Sequence, residues 1–125
     1  MIDTLPPPID ATQLDADASA GEVAALTQTV ESYVHDRYRL RASRFFTLAP
    51  ERTTWVAIEK QVGQHVQAAA PMAHQESFNW HRVGYDTIAV WALTPEWKQH
   101  VAVALARDPL PDGRRLVGYF EFDSD

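Results

Sequence analysis

The sequence predicts an α+β domain in which a three- to four-stranded antiparallel sheet packs against two helices, in the order α-β-α-β-β-β. Two stretches place apolar residues at helical spacing. After them come three β-branched and aromatic runs whose connectors are too short for parallel crossovers. At 125 residues and 46% hydrophobic composition, one core is the natural expectation.

Residues 1–18 contain Pro6, Pro7 and Pro8 with scattered apolar residues, and are expected to be an extended or disordered acidic leader. The folded domain is then 19–125. Ser19 and Glu22 form a capping-box pattern, and Val23, Leu26, Val30, Tyr33 and Val34 recur at helical spacing, so helix one should run from Ala20 to His35 or Asp36.

From Arg37 to Ala42 the pattern alternates polar and apolar, which argues for a half-buried strand continuing to Leu48. A phase slip at Arg44-Phe45-Phe46 suggests a bulge, and Ala49-Pro50 ends the strand. The competing reading continues helix one through Arg37–Leu48 as far as Phe46, since Arg and Leu are good helix formers.

Thr53 or Thr54 should cap helix two, with Trp55, Val56, Ile58, Val62, His65 or Val66, and Ala69 as its apolar stripe and Pro71 as its stop. Gly63 weakens that helix by about 1 kcal/mol relative to Ala unless a neighbour packs closely there. Met72 to Trp80 reads as a loop that enters a strand late.

Tyr85–Leu93, His100–Arg107 and Arg114–Phe122 form the meander, linked by Thr94-Pro95-Glu96-Trp97 and by Asp108 to Gly113. Ala89, Trp91, Leu93, Val101, Val103, Leu105, Leu116, Phe120 and Phe122 are the candidate inward residues under the two helices. Ile88 and Val90 have the opposite parity, so their strand should be covered on both faces.

The net charge of −6 works against phosphate contacts, so no nucleic-acid partner is expected. Residues 1–36 hold seven acids and no Lys or Arg, as a solvated leader and surface helix would. The absence of Cys removes disulfides, thiolate nucleophiles and Cys-type zinc sites. No apolar run is long enough for a transmembrane segment.

No catalytic residue can be assigned. Ser32, His35 and Asp36 lie close in sequence but should face solvent at a helix end, and no Gly-x-Ser-x-Gly elbow or phosphate-binding Gly loop is present. The candidate metal set is His74, Glu76 and His81, whose spacing matches neither His-Glu-x-x-His nor another helical ligand pattern. Exposed loop histidines are the favoured reading, and no cofactor is expected. Arg37, Arg39 and Arg41 on one strand face, with Arg44 nearby, form a cationic row that could take a carboxylate, a phosphate or an acidic partner. The competing reading pairs those charges with Asp86, Glu121 or Asp123 on a neighbouring strand. Trp80 and Trp97, in connectors, either plug the core edge or anchor a partner.

The run from Phe46 to Trp55, a strand ending at Pro50 and a helix opened by Thr53, Thr54 and Trp55, is followed by the meander. Over about residues 45–122 this pattern resembles small uncharacterised exported proteins or lipoproteins of proteobacteria. The resemblance implies a bacterial, exported, periplasmic or surface-anchored domain and supplies no catalytic residues. The leader composition agrees with export, although no signal peptide begins the sequence and a cytoplasmic protein is the competing reading. The preferred expectation is a non-enzymatic domain that binds a protein or envelope component through an open sheet face, the Arg row or the connector aromatics. The alternatives are a small-molecule pocket between helix two and the sheet, lined by Trp55, Trp91 and Tyr119, or a metal-dependent enzyme built on His74 to His81. The oligomeric state is left open.

Overall fold

The computed structural model describes residues 2–14, 19–34, 38–52, 54–83, 86–94 and 98–124, with side chains at 52 and 76–83 outside the description. The architecture is α+β, with two helices and a six-stranded antiparallel sheet. The elements are β1 (Thr12–Gln13), α1 (Ala20–Tyr33), β2 (Tyr38–Leu48), α2 (Trp55–Ala69), β3 (His74–Val83), β4 (Asp86–Ala92), β5 (Gln99–Leu105) and β6 (Arg115–Ser124). Short 3-10 turns occupy Ile2–Thr4 and Pro50–Arg52. The spatial order is β1-β2-β6-β5-β4-β3.

The sheet is therefore larger than the three or four strands expected. Met72 to Trp80 is not a loop, because β3 begins at His74 and pairs antiparallel with β4, from His74 opposite Ala92 to Val83 opposite Asp86. The reading that prolongs helix one is overturned as well: α1 ends at Tyr33 and β2 runs beside β6, from Tyr38 opposite Ser124 to Leu48 opposite Arg115. The bulge in β2 falls between Leu40 and Ala42, not at Arg44 to Phe46.

The helices do not share a face. Each presents a stripe spaced by four residues, which stacks one above the other on a helix side. In α2 the stripe is Ile58, Val62 and Val66, and these pack with Phe46, Leu48, Ala89, Trp91, Val101, Val103, Val117 and Tyr119. In the α1 segment it is Leu26, Val30 and Val34, packed against Phe45, Ile88, Val90, Ala102, Ala104, Leu116, Phe120 and Phe122 on the opposite face. Leu116, Phe120 and Phe122 thus point away from the face that holds Trp91 and Val103. Residues 100–105 and 116–120 are buried without interruption, as strands covered on both sides must be.

Local details depart from the expected caps. Ser19 adopts the left-handed conformation at φ 73°, and no side-chain cap bond forms there or at Thr54, so the capping box is not realised. Val56, expected in the apolar stripe, is 62% exposed.

Of the expected leader, residues 2–14 lie on the domain. Ile2 and Leu5 are 1% and 3% exposed and belong to the core beneath α2. Residues 6–8 are extended, as three prolines require, and Thr12 and Gln13 pair with Thr47 and Phe46 at the sheet edge. Arg44 Nη1 donates to the carbonyls of Ile2 and Leu5 at 2.7 and 3.1 Å, and the Tyr119 hydroxyl donates to Pro6 O at 3.0 Å. Thus one half of this sheet face lies under α2 and the other half under the N-terminal arm.

Candidate functional site

The stripe of α2 adjacent to its buried one consists of Glu59, Lys60, Gly63, Gln64, Gln67 and Ala68. With Gln75 of β3 and Trp91 of β4 it lines an open groove of about 660 Å³ between helix and sheet. That volume lies within the range common for small-molecule sites.

Gly63 creates the groove's inner wall. A Cβ at this position would lie 3.5 Å from Trp91 Cζ2, so the indole approaches the helix backbone as closely as a methyl-sized gap allows. That is ordinary van der Waals contact, so the close packing that would make a mid-helix Gly useful is not required here. Trp91 is 5% exposed and forms an aromatic floor. Gln75 stands opposite Trp91 in the β3–β4 ladder, and its Nε2 donates to Glu59 Oε2 at 2.9 Å, tying helix to sheet across the groove. Gln67 Nε2 donates to Pro71 O and Ala73 O, each at 3.4 Å, which fixes the turn after α2.

Of the aromatic residues expected to line such a pocket, Trp91 does so. Trp55 packs against the core of the same face, and Tyr119 is buried beneath the arm, its ring 4.9 Å from that of Phe46. Burial pushes the Tyr119 phenol far above its ordinary pKa, against the opposing pull of the nearby Arg44 charge.

The β2 bulge falls within the Arg row. Arg39 is exposed opposite Asp123, and Arg41, inside the bulge and 53% exposed, pairs through Nε with Asp123 Oδ2 at 2.7 Å. Arg44 turns onto the arm and lies 5.1 Å above the Phe46 ring. Arg37 lies outside the described residues. Beside this group, Glu121 Oε1 accepts the Ile2 N–H at 3.0 Å. Burial works to raise its pKa, but hydrogen bonding that includes Ile2 outweighs burial and holds the carboxyl below its usual range.

His74 is exposed at the start of β3, whereas Glu76, Trp80 and His81 lie on β3 with side chains outside the description. Trp97 and the pair His35 and Asp36 also fall outside the described residues; Ser32 is exposed near the end of α1. Sequence reasoning did not single out Glu59, Lys60, Gln64, Gln67 and Gln75. Their spacing in α2 resembles any solvated helix face, and only the position of β3 turns that face into a wall.

No family model, curated protein or solved structure matches the chain.

Proposed function

We propose that this chain is a binding domain, not an enzyme, and that it holds a small organic molecule in the groove between α2 and strands β3 and β4. The observation that carries the reading is the groove itself, which sets Trp91 at its floor between the polar side chains of α2 and Gln75. A small ligand would touch the accessible edge of Trp91 while its polar groups meet Lys60 and Gln64, with few polar groups around an apolar spot as small-molecule sites share. The tie between Glu59 and Gln75 fixes the helix against the sheet before a ligand arrives, which lowers the ordering cost of binding.

The test is a fragment titration followed by the indole N–H resonances, of which four tryptophans supply one each. Binding fragments should shift the Trp91 signal, and Ala68→Phe, at an exposed groove position, should abolish the shift while the rest of the spectrum stays dispersed. Fragments that leave Trp91 unmoved, or that bind Ala68→Phe equally well, would overturn the assignment.

A further inference from the structure

The N-terminal arm is held in the way a bound peptide is held. Side chains of the body meet its main chain: Arg44 donates to Ile2 O and Leu5 O, Tyr119 donates to Pro6 O, Glu121 accepts from Ile2 N and Gln61 Oε1 accepts from Ile9 N at 3.1 Å. Two apolar anchors, Ile2 and Leu5, enter the core three residues apart, and the arm ends in the β1–β2 ladder and a bond from Leu14 N to Phe45 O at 2.9 Å.

The chemistry of arm and cleft is matched. Pro6, Pro7 and Pro8 have no N–H, so this part of the arm offers carbonyls without orphaned donors; the Tyr119 phenol meets Pro6 O, while the Arg44 guanidinium meets the Ile2 and Leu5 carbonyls just before it. The prolines also hold the segment extended before it docks, which reduces the entropy lost on docking from elsewhere. Between arm and α2 remains a cleft of about 210 Å³ lined by Pro8, Ile9, Leu48 and Ala57 among others, and Ile9 is 70% exposed above it. The arm is thus pinned at its ends and loosely seated in its middle.

Backbone strain is located at the same segment. Asp10, within the arm, and Ser19, just past it, have φ of 64° and 73°, left-handed conformations that are costly for residues with a Cβ. Every arm–cleft bond could be reproduced by an identical arm.

We propose that residues 2–14 form an exchangeable arm and that the cleft between β2, β6 and the first turns of α2 accepts the same arm from a second copy of the chain. Exchange is reciprocal, so the product is a two-fold dimer whose interface repeats the contacts of the monomer. The proposal is independent of the groove beside Trp91.

The experiment uses the full chain. Because the sequence contains no Cys, the paired positions Thr12 and Thr47 can carry a designed disulfide that locks the arm onto its own body. The wild-type chain should show a dimer in sedimentation velocity that grows with protein concentration, and the oxidised Thr12→Cys/Thr47→Cys double variant should remain monomeric at the same concentrations. Mixing the two single-cysteine chains should give a mixed disulfide dimer well above the homodimers formed by either alone. A third variant, Leu5→Asp, removes an anchor of the arm while leaving the sequence of the body intact, and should abolish dimerisation while the far-ultraviolet circular dichroism persists. A wild-type chain that stays monomeric throughout, a locked or Leu5→Asp chain that still dimerises, or a mixture that yields no excess of the mixed disulfide overturns the proposal.

Discussion

Gly118 sits in the middle of β6 on the face that α1 covers, and its missing side chain is a packing requirement. A Cβ there would lie 2.6 and 2.8 Å from Cε2 and Cζ of Phe120 and 3.1 Å from Cε1 of Phe45. Those rings meet edge to face at 5.6 Å, and Phe120 is fully buried, so neither can withdraw without displacing others. In Gly118→Ala the strand gains about 0.5–1 kcal/mol from the reduced freedom of the unfolded chain, while overpacking costs about 1–3 kcal/mol. The expected result is a net loss of about 1–2 kcal/mol, or a fall in Tm of roughly 3–8 °C for a domain of this size. Urea denaturation followed by circular dichroism measures it. Repeating the substitution in a Phe120→Leu background isolates the cause, because removing the ring should bring the cost of the added methyl close to zero. If Gly118→Ala is as stable as the parent, or costs the same in both backgrounds, the clash with Phe120 is not what excludes a side chain.

Gly63→Ala should move in the opposite direction. Its Cβ would meet Trp91 at ordinary van der Waals distance, so the gain in helix propensity, up to about 1 kcal/mol, goes uncontested and should appear as a raised urea midpoint. The pH dependence of stability should carry a contribution from Glu121. Because its folded-state pKa lies below its unfolded value, the ionised carboxylate stabilises the fold above about pH 4.3, the unfolded value, and that contribution is lost as pH falls through the lower folded pKa. Thermal melts of the parent and Glu121→Gln should therefore differ near neutrality and converge in acid; a difference that persists at low pH contradicts the assignment.

The elements with strong periodicity were legible in the sequence, as was the two-sided cover of the Ile88–Val90 strand, but which helix covers which face was not. Both helices and β4, β5 and β6 lie where the apolar spacing predicts them. The sequence also held a sign of a two-faced sheet, since Val101 to Leu105 is an unbroken apolar run, but nothing local states which helix covers which side. β3 escaped because His74, Gln75, Glu76, Ser77 and Asn79 are polar residues at a sheet edge, where one flank of the strand has no ladder to select β-branched side chains. Prolines 6 to 8 announced an extended segment, and composition cannot distinguish an extended segment in water from one lying along Arg44 and Tyr119. In the Arg row, Arg39 and Arg44 stand opposite Asp123 and Tyr119 and Arg41 pairs with Asp123; these partners come from β6, distant in sequence, so the alternation alone could not state them. For the groove, the sequence singled out Gly63, although the space beside it would admit an alanine. Its partner Trp91 is distant in sequence, and the polar wall acquires meaning only once β3 stands opposite α2.

The pairing of β2 with β6 has a consequence for how the chain comes to be folded. Apart from the two-residue β1, residues 38–48 find their ladder in residues 115–124, and β6 also supplies the inner neighbour of β5. On a ribosome working at about 5–20 residues per second, β2 emerges several seconds before the strand it needs. During that interval its two consecutive phenylalanines, Phe45 and Phe46, which later enter opposite layers, have no sheet to divide them. Assembly of the domain is therefore governed by the arrival of its last strand, and nascent chains halted before residue 115 should engage chaperones through the region around Phe45 and Phe46.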